Sequence, residues 1–306
     1  MSLDSTTVKL ARLQSEALCK MPMSSESNMP NQNLTLTDIS IYPIKSTTGI
    51  SIDRSHVSPW GLDYDRNLML VDDEGVFISQ RKYPRMALIK TRLIKQRLSI
   101  SAPGLPEIEF ELKDNTDFAN SIFQPESVQV EVWKTECYGH VANETINQWF
   151  SQFLNMSVRL VHYDHQKPRV TAPEYSQPGD IVSFADGFPL LVISHASLND
   201  LNSRLATLVS MKNFRPNIVI DGCAPYAEDD WKQIRVGEVV FDAVKRCSRC
   251  VLTTVNPTTG EKREDKEPLK TLSQYRRGPG GVYIGMNLIP RTRGIIRKGD
   301  SVELLS

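Results

Sequence analysis

The sequence predicts a mainly β protein with some α-helix, folded as a barrel or a sandwich. Its clearest signal is the alternation of apolar and polar residues, as at Ile108, Phe110 and Leu112, which is the period of a half-buried strand. Turn residues separate such segments about every 8–12 residues, which is typical of barrels and sandwiches. Strand and helix patterns do not alternate regularly, so a doubly wound parallel sheet is not expected.

The first half of the chain begins with a tail and continues mainly as strands. Residues 1–33 are rich in Ser, Asn, Pro and Met toward their end and lack sustained periodicity, so we expect a flexible tail. The run Asp72–Gly75 predicts a hairpin turn between the strands Leu68–Val71 and Val76–Ile78. Apolar side chains at three-to-four spacing predict a helix over Val141–Leu154.

The second half mixes strands with fewer helices. Pro189–Ile193 is an apolar run that predicts a buried strand. Ser194 is placed to cap a helix that carries leucines as far as Leu208. Val251–Val255 is rich in β-branched residues and predicts a further strand.

Composition excludes several functional classes. Among 306 residues, Lys plus Arg number 36 and Asp plus Glu number 36, which gives a formal net charge of +0. This balance argues against bulk binding to nucleic acid or to anionic lipid, because either needs surplus positive charge. The longest apolar runs fall far short of the roughly 20 residues that span a bilayer, so no membrane association is expected. Sparse cysteines and the lack of a secretory signal indicate a reducing, cytoplasmic location.

The Cys247–Cys250 motif is the most informative local feature, and the residues alone leave its meaning open. A C-x-x-C pair fits a redox dithiol, half of a zinc site, two incidental thiols or a single functional thiolate. The strand expected after Cys250 argues against a thioredoxin-type pair, which opens a helix, and no second pair of zinc ligands is present. Lys245, Arg246 and Arg249 favour the functional thiolate, because positive charge stabilises the thiolate over the thiol.

Several motifs follow one another along the chain in a defined order. They are Tyr42–Ser46, Phe214–Asn217, Cys223, Tyr226–Glu228, Trp231, Cys247–Cys250 and Thr253–Pro257. The motifs from Phe214 onward resemble the MOSC family, named for the C-terminal domain of molybdenum cofactor sulfurase. The opening motif resembles the β-barrel domain that precedes MOSC in the mitochondrial amidoxime-reducing components and their bacterial relatives. The resemblance covers essentially all of residues 34–306.

The resemblance implies a domain organisation and a cofactor. It implies a MOSC N-terminal β-barrel-like domain over residues 34–155 and a MOSC β-barrel domain over 156–306, after the tail of residues 1–33. It also implies that a molybdenum cofactor (Mo-molybdopterin) is bound through its pterin dithiolene and one protein cysteine. That cysteine corresponds to Cys250, which is expected to be both the metal ligand and the catalytic residue. The cofactor-binding residues carry over to Lys45, Ser46, Arg66, Asp186, Arg215, Asn217, Ser248 and Arg249.

The resemblance further implies a reaction and its partners. The reaction is the two-electron reduction of a small N-hydroxylated compound to the amine or amidine plus water. Some bacterial relatives carry a plant-type ferredoxin domain, and its cysteine spacing is not found in this sequence. Either a separate flavin or iron–sulfur protein is expected to donate the electrons, or that domain is missing from the sequence. The targeting segment of the mitochondrial members is not found, which agrees with a cytoplasmic bacterial protein.

Two alternatives stay open at this point. The first is a non-enzymatic carrier of the molybdenum cofactor or of sulfur, which would share every motif. The second is a dithiol redox protein or a zinc protein that uses Cys247 and Cys250.

Overall fold

Strands account for most of the regular structure in the computed structural model, which describes residues 33–112 and 121–305. The strands, in chain order, are β1 (Leu34–Ile41), β2 (Ile50–Ile52), β3 (Arg54–Ser58), β4 (Gly61–Leu62), β5 (Leu68–Val71), β6 (Lys90–Ile94), β7 (Arg97–Ser101), β8 (Ile108–Glu111), β9 (Phe123–Val132), β10 (Thr135–Ala142), β11 (Arg159–Tyr163), β12 (Arg169–Val170), β13 (Ile181–Val182), β14 (Leu190–Ser194), β15 (Ile218–Asp221), β16 (Gln233–Val236), β17 (Val239–Arg249), β18 (Arg277–Gly278), β19 (Gly281–Pro290), β20 (Gly294–Arg297) and β21 (Ser301–Leu304). The α-helices in the described residues are α1 (Glu144–Leu154), α2 (His195–Asn202) and α3 (Leu269–Tyr275).

Five short 3-10 helices connect these elements in the described part of the chain. They span Pro84–Leu88, Pro173–Tyr175, Met211–Asn213, Ala227–Asp230 and Val251–Thr254. The prediction of a mainly β protein with some α-helix is confirmed.

A closed barrel of seven strands forms the centre of the fold. The strands pair in the order β14, β15, β1, β21, β16, β17 and β19, and β19 pairs back with β14. Closure leaves no free edge among these strands, which protects them from pairing with another chain. Apolar residues at alternate positions fill the interior, including Leu36, Ile218, Phe241 and Leu288, each 0% exposed. The apolar positions of the period-two pattern therefore form the inward face of the barrel.

The first strand belongs to this barrel although it lies in the segment assigned to the N-terminal domain. β1 pairs antiparallel with β15 through Ile39 and Ile218 and with β21 through Leu34 and Val302. The chain from Asn33 onward forms one compact unit. The division of the chain at residues 155 and 156 stays a prediction, and residues 1–32 of the expected tail lie outside the described residues.

A second layer of structure packs beside the barrel. β5, β11, β10 and β9 form a four-stranded antiparallel sheet, and α1 lies against it. The side chain of Asn143 caps α1 by accepting a hydrogen bond from the backbone N–H of Ile146 (3.1 Å). Trp149 and Phe150 are buried and belong to the apolar stripe of the helix. The helix begins at Glu144, three residues later than the spacing predicts.

Two local expectations are wrong. The run Val251–Val255 forms a 3-10 helix over Val251–Thr254 instead of a strand. The hydroxyl of Thr253 donates to the carbonyl of Cys250 (2.9 Å) and that of Thr254 to Val251 (2.7 Å), which closes the backbone into a turn. The helix predicted as far as Leu208 ends at Asn202.

Candidate functional site

One cavity brings together every site residue that the sequence and the resemblance predict. The loop after β1, the segments before β14 and β15, and the end of β17 with the residue that follows it all contribute to its lining. The predicted residues in this lining are Lys45, Ser46, Arg66, Asp186, Arg215, Asn217, Ser248, Arg249 and Cys250. They come from segments more than 200 positions apart in the chain. This cavity is therefore the candidate active site.

Lys45 and Asp186 form an ion pair in the cavity. The ammonium group of Lys45 donates to Asp186 and to the carbonyl of Phe184 (2.8 Å). Burial lowers the pKa of Lys45 to about 8, and Asp186 only partly offsets this effect. Desolvation raises the pKa of Asp186, but Lys45 and a hydrogen bond from the indole N–H of Trp133 (3.0 Å) lower it more. The carboxylate is thus held in its charged form.

Two guanidinium groups lie against one tyrosine ring. Arg66 and Arg215 lie 4.5 and 4.1 Å from the ring centroid of Tyr42. Arg66 donates to Asp65 (2.5 Å) and to the side-chain oxygen of Asn217 (2.9 Å), so its charge is balanced locally. Burial lowers the pKa of Arg215 to about 10, against the influence of Tyr42 and other partners.

Arg215 keeps one nitrogen without a partner. Its Nη1 donates to the carbonyl of Thr47, whereas its Nη2 is buried and makes no hydrogen bond. A buried, unpaired guanidinium nitrogen is costly, and it is the group that an anionic ligand would satisfy. Arg215 is therefore the residue that most clearly indicates a bound anion in this cavity.

Three of these residues also have a strained backbone. Ser46, Arg66 and Arg215 have left-handed φ angles of 66°, 50° and 57°. Non-glycine residues rarely adopt this region, and strained residues cluster at binding sites where the surrounding structure holds them. The fold thus maintains an unfavourable backbone at three of the predicted contact positions.

The two thiols of the Cys247–Cys250 motif have different surroundings. Arg249 donates from Nη1 to the sulfur of Cys247 (2.9 Å) and from Nη2 to the carbonyl of Phe214. The sulfur of Cys250 has no hydrogen-bond partner among the described residues, and both cysteines are free thiols. Arg249, one of the three basic residues expected to favour a functional thiolate in this motif, thus bonds to Cys247.

Comparisons with protein families and with known proteins show what this chain is similar to. The MOSC N-terminal beta barrel domain matches residues 33–157, and the MOSC domain matches residues 179–303. Mitochondrial amidoxime-reducing component 1 of Mus musculus is 37% identical over 287 residues, which cover 89% of this chain and 82% of that protein. The chain belongs to the MOSC family.

Other relatives of this MOSC protein show the same relationship. Mitochondrial amidoxime-reducing component 1 of Homo sapiens is 35% identical, with 89% of this chain and 83% of that protein covered. Molybdenum cofactor sulfurase of Solanum lycopersicum is 30% identical over 83% of this chain, which spans only 33% of that longer protein. No helix in the described residues of this MOSC protein is long and apolar enough to cross a membrane. The first relatives are named mitochondrial, so they do not support the cytoplasmic prediction.

The charges of the MOSC cavity fit an anionic cofactor. Among the described residues, its lining contains the five cations Lys45, Arg66, Arg81, Arg215 and Arg249 and one acidic residue, Asp186. Asp186 and Asp65 pair with Lys45 and Arg66, so the excess lies on Arg81, Arg215 and Arg249. The whole chain has a formal net charge of +0, so this excess is local. A pterin that ends in a phosphate matches this combination of guanidinium groups and the unpaired nitrogen of Arg215.

An aromatic wall of the MOSC cavity was missed by sequence reasoning. Phe77, Trp133 and Phe188 line the cavity, and Trp133 contacts Phe77 edge-on with centroids 4.5 Å apart. Arg81 lies 4.1 Å from the ring centroid of Trp133. Trp133 has a φ of 53° in the turn between β9 and β10. An aromatic residue rarely adopts this conformation, so the sequence does not predict it.

The zinc alternative lacks further ligands. In the ranges 33–112 and 121–305, no group of three or more His, Cys, Asp or Glu side chains is arranged to hold a metal ion. A structural zinc site needs four such ligands, and the Cys247–Cys250 motif supplies two. A single protein ligand completed by a cofactor's own sulfur atoms needs no such cluster.

Proposed function

We propose that this protein is a molybdenum-cofactor-dependent reductase of N-hydroxylated compounds, with Cys250 as the protein ligand to molybdenum. One observation supports the proposal above all others: a single cavity is lined by Cys250 together with five cations, among them Arg215, which has a buried nitrogen without a hydrogen-bond partner. The relatives named amidoxime-reducing components, at 35–37% identity, support the same class of reaction.

The residues of this chain would hold the cofactor at two ends. Arg215, Lys45 and Ser46 would bind the pterin phosphate, since each lines the cavity and Arg215 Nη2 lacks a partner. Cys250 would bind the metal, because its residue lines the same cavity and its sulfur is not engaged by another described side chain. Cys247 is the poorer ligand, because its sulfur accepts a hydrogen bond from Arg249.

The protein's own contribution is binding, orientation and shielding. When bound, the molybdenum cofactor supplies a two-electron reduction of the N–O bond, which yields the amine or amidine plus water. Asp186 is fixed by Lys45 and Trp133 and can accept a hydrogen bond from a donor on the substrate. Phe77 and Phe188 border the cavity and would shield part of a bound cofactor from water. A separate flavin or iron–sulfur protein would return the electrons.

The test compares the variants Cys250→Ala and Cys247→Ala in protein produced with the cofactor. We expect Cys250→Ala to reduce turnover of an amidoxime by more than about 100-fold, because a metal ligand is lost. Cys247→Ala should stay within about threefold, since it removes no metal ligand and only a partly buried thiol at the edge of a core cluster. Turnover is measured with a reduced dye, and melting temperature confirms that both variants fold.

Three outcomes would contradict the proposal. Full turnover by Cys250→Ala would show that Cys250 is not the ligand. An equal loss from both variants would indicate a dithiol mechanism. Molybdenum and pterin retained by the unmodified protein without any turnover of N-hydroxylated compounds would indicate a carrier.

A further inference from the structure

A second cavity lies beside the candidate active site and has no role in the proposed reaction. It is bordered by the loop between β1 and β2, by the 3-10 helix Pro84–Leu88 with the start of β6, and by the 3-10 helix Met211–Asn213. Its volume is about 500 Å³. Pockets of roughly 300–1,000 Å³ are the size that binds small molecules in proteins.

Part of the lining of the second cavity is apolar. Ala87, Leu88, Met211, Pro216 and Val255 contribute carbon atoms from separate segments of the chain. Burying an apolar ligand body against such a surface is favourable, at about 25 cal/mol per Å². The cavity can therefore hold the hydrophobic part of a ligand.

The charged groups of the second cavity favour an anion. Lys90 and Lys212 line it, and neither forms an ion pair within the described residues. Arg215 also lines this cavity, but its unpaired nitrogen is already proposed to bind the pterin phosphate, so the two lysines are the available cations. The acidic residue Asp38 is already bound by Lys298, at 2.9 Å. Positive charge thus remains available, whereas the negative charge is neutralised.

Several contacts fix the side chains that separate the two cavities. Arg215 and Leu252 line both cavities, and Tyr42 lines the second one with its ring against Arg215. The hydroxyl of Tyr42 donates to the carbonyl of Pro216 (3.0 Å), and its ring lies against Gly49, where a Cβ atom would be only 2.4 Å away. A site whose walls are fixed in advance costs little entropy on binding.

We propose that the second cavity is a binding site for a small aromatic carboxylate, with the ring against the apolar part of the lining and the carboxylate at Lys90 and Lys212. The proposal does not depend on the reductase function, because it concerns binding to the protein chain itself. The two lysines provide charge-assisted hydrogen bonds to the carboxylate, and the volume accommodates a two-ring body.

The first test uses naphthoate as the probe and measures its affinity for the full chain by fluorescence and calorimetry. The variant carrying Lys90→Ala and Lys212→Ala should bind about three- to tenfold more weakly, as expected for partly exposed ion pairs. The matched control carries Lys134→Ala and Lys270→Ala, which also removes two exposed lysines but none from this cavity. Higher salt should weaken binding to the unmodified chain and to the control.

The second test locates the probe. A brominated naphthoate soaked into crystals should place its bromine in the cavity bordered by Leu88 and Met211. Bromine density only elsewhere, including in the candidate active site, would overturn the proposal. It would also be overturned by undetectable binding, by an unchanged affinity in the Lys90 and Lys212 variant, or by an equal loss in the control.

Discussion

Burial of the Lys45 ammonium group makes the stability of the protein depend on pH in a specific direction. Burial lowers the pKa of Lys45 from 10.5 to about 8 in the folded chain. Between these values the unfolded chain keeps a proton that the folded chain has lost. The free energy of unfolding therefore rises with pH across this window, by about 1.4 kcal/mol per pH unit for this group.

The total effect follows from the size of the shift. A fall from 10.5 to about 8 corresponds to about 3 kcal/mol when the lysine is fully deprotonated in both states. Lys45→Met removes the titrating group while keeping the apolar stem. We expect the unmodified chain to gain stability relative to Lys45→Met as pH increases from 8 to 10, because only the unmodified chain carries the buried amine.

The measurement is urea-induced unfolding of both proteins at a series of pH values from 7 to 10. The control Lys270→Met changes a lysine that lies exposed on α3, and its curve should run parallel to that of the unmodified protein. A constant stability difference between the unmodified chain and Lys45→Met across the series would refute the reasoning. It would mean that Asp186 holds the ammonium group charged despite its burial.

Two further predictions concern single contacts. Gly49→Ala should reduce the free energy of unfolding by about 1–3 kcal/mol, because its Cβ would be 2.4 Å from the ring of Tyr42. The control is Gly187→Ala, whose Cβ would have no atom within 4 Å. Equal losses of stability in the two variants would contradict the steric argument. Trp133→Phe should raise the pKa of Asp186 toward its ordinary value, because the indole hydrogen bond is lost. The stability that this carboxylate contributes is lost as pH falls through its folded pKa. An acid titration followed by carboxyl NMR should therefore show that Asp186 is protonated at a higher pH in Trp133→Phe than in the unmodified chain. An unmoved titration would assign the lowered pKa to Lys45 and Arg81.

Local patterns predicted much of the fold. Alternation predicted the inward faces of strands such as β8, because a strand that buries one face must alternate. The three-to-four spacing before Leu154 predicted α1 for the corresponding helical reason. The β-branched run Val251–Val255 led to a wrong prediction, because the hydroxyls of Thr253 and Thr254 bond to nearby carbonyls and favour a turn.

The site was predictable only in part. Cys250 and the basic residues were identified because linked motifs resemble a known family, whereas composition and spacing left the thiol pair open. Nothing local marked Phe77 or Trp133 as lining, since an apolar aromatic residue is ordinarily part of a core. No sequence pattern predicted the second cavity, because its walls come from four distant segments of the chain.

By itself, the sequence determined the mainly β character, the amphipathic helix α1 and the lack of surplus charge. These properties depend on period, propensity and composition, which are local or additive along the chain. The tertiary structure alone decided that Arg215 keeps an unpaired nitrogen, that Arg249 bonds to the sulfur of Cys247, and that β1 lies in the barrel between β15 and β21. Those facts depend on which distant segments meet and on the direction of each side chain, and strand pairing sets both.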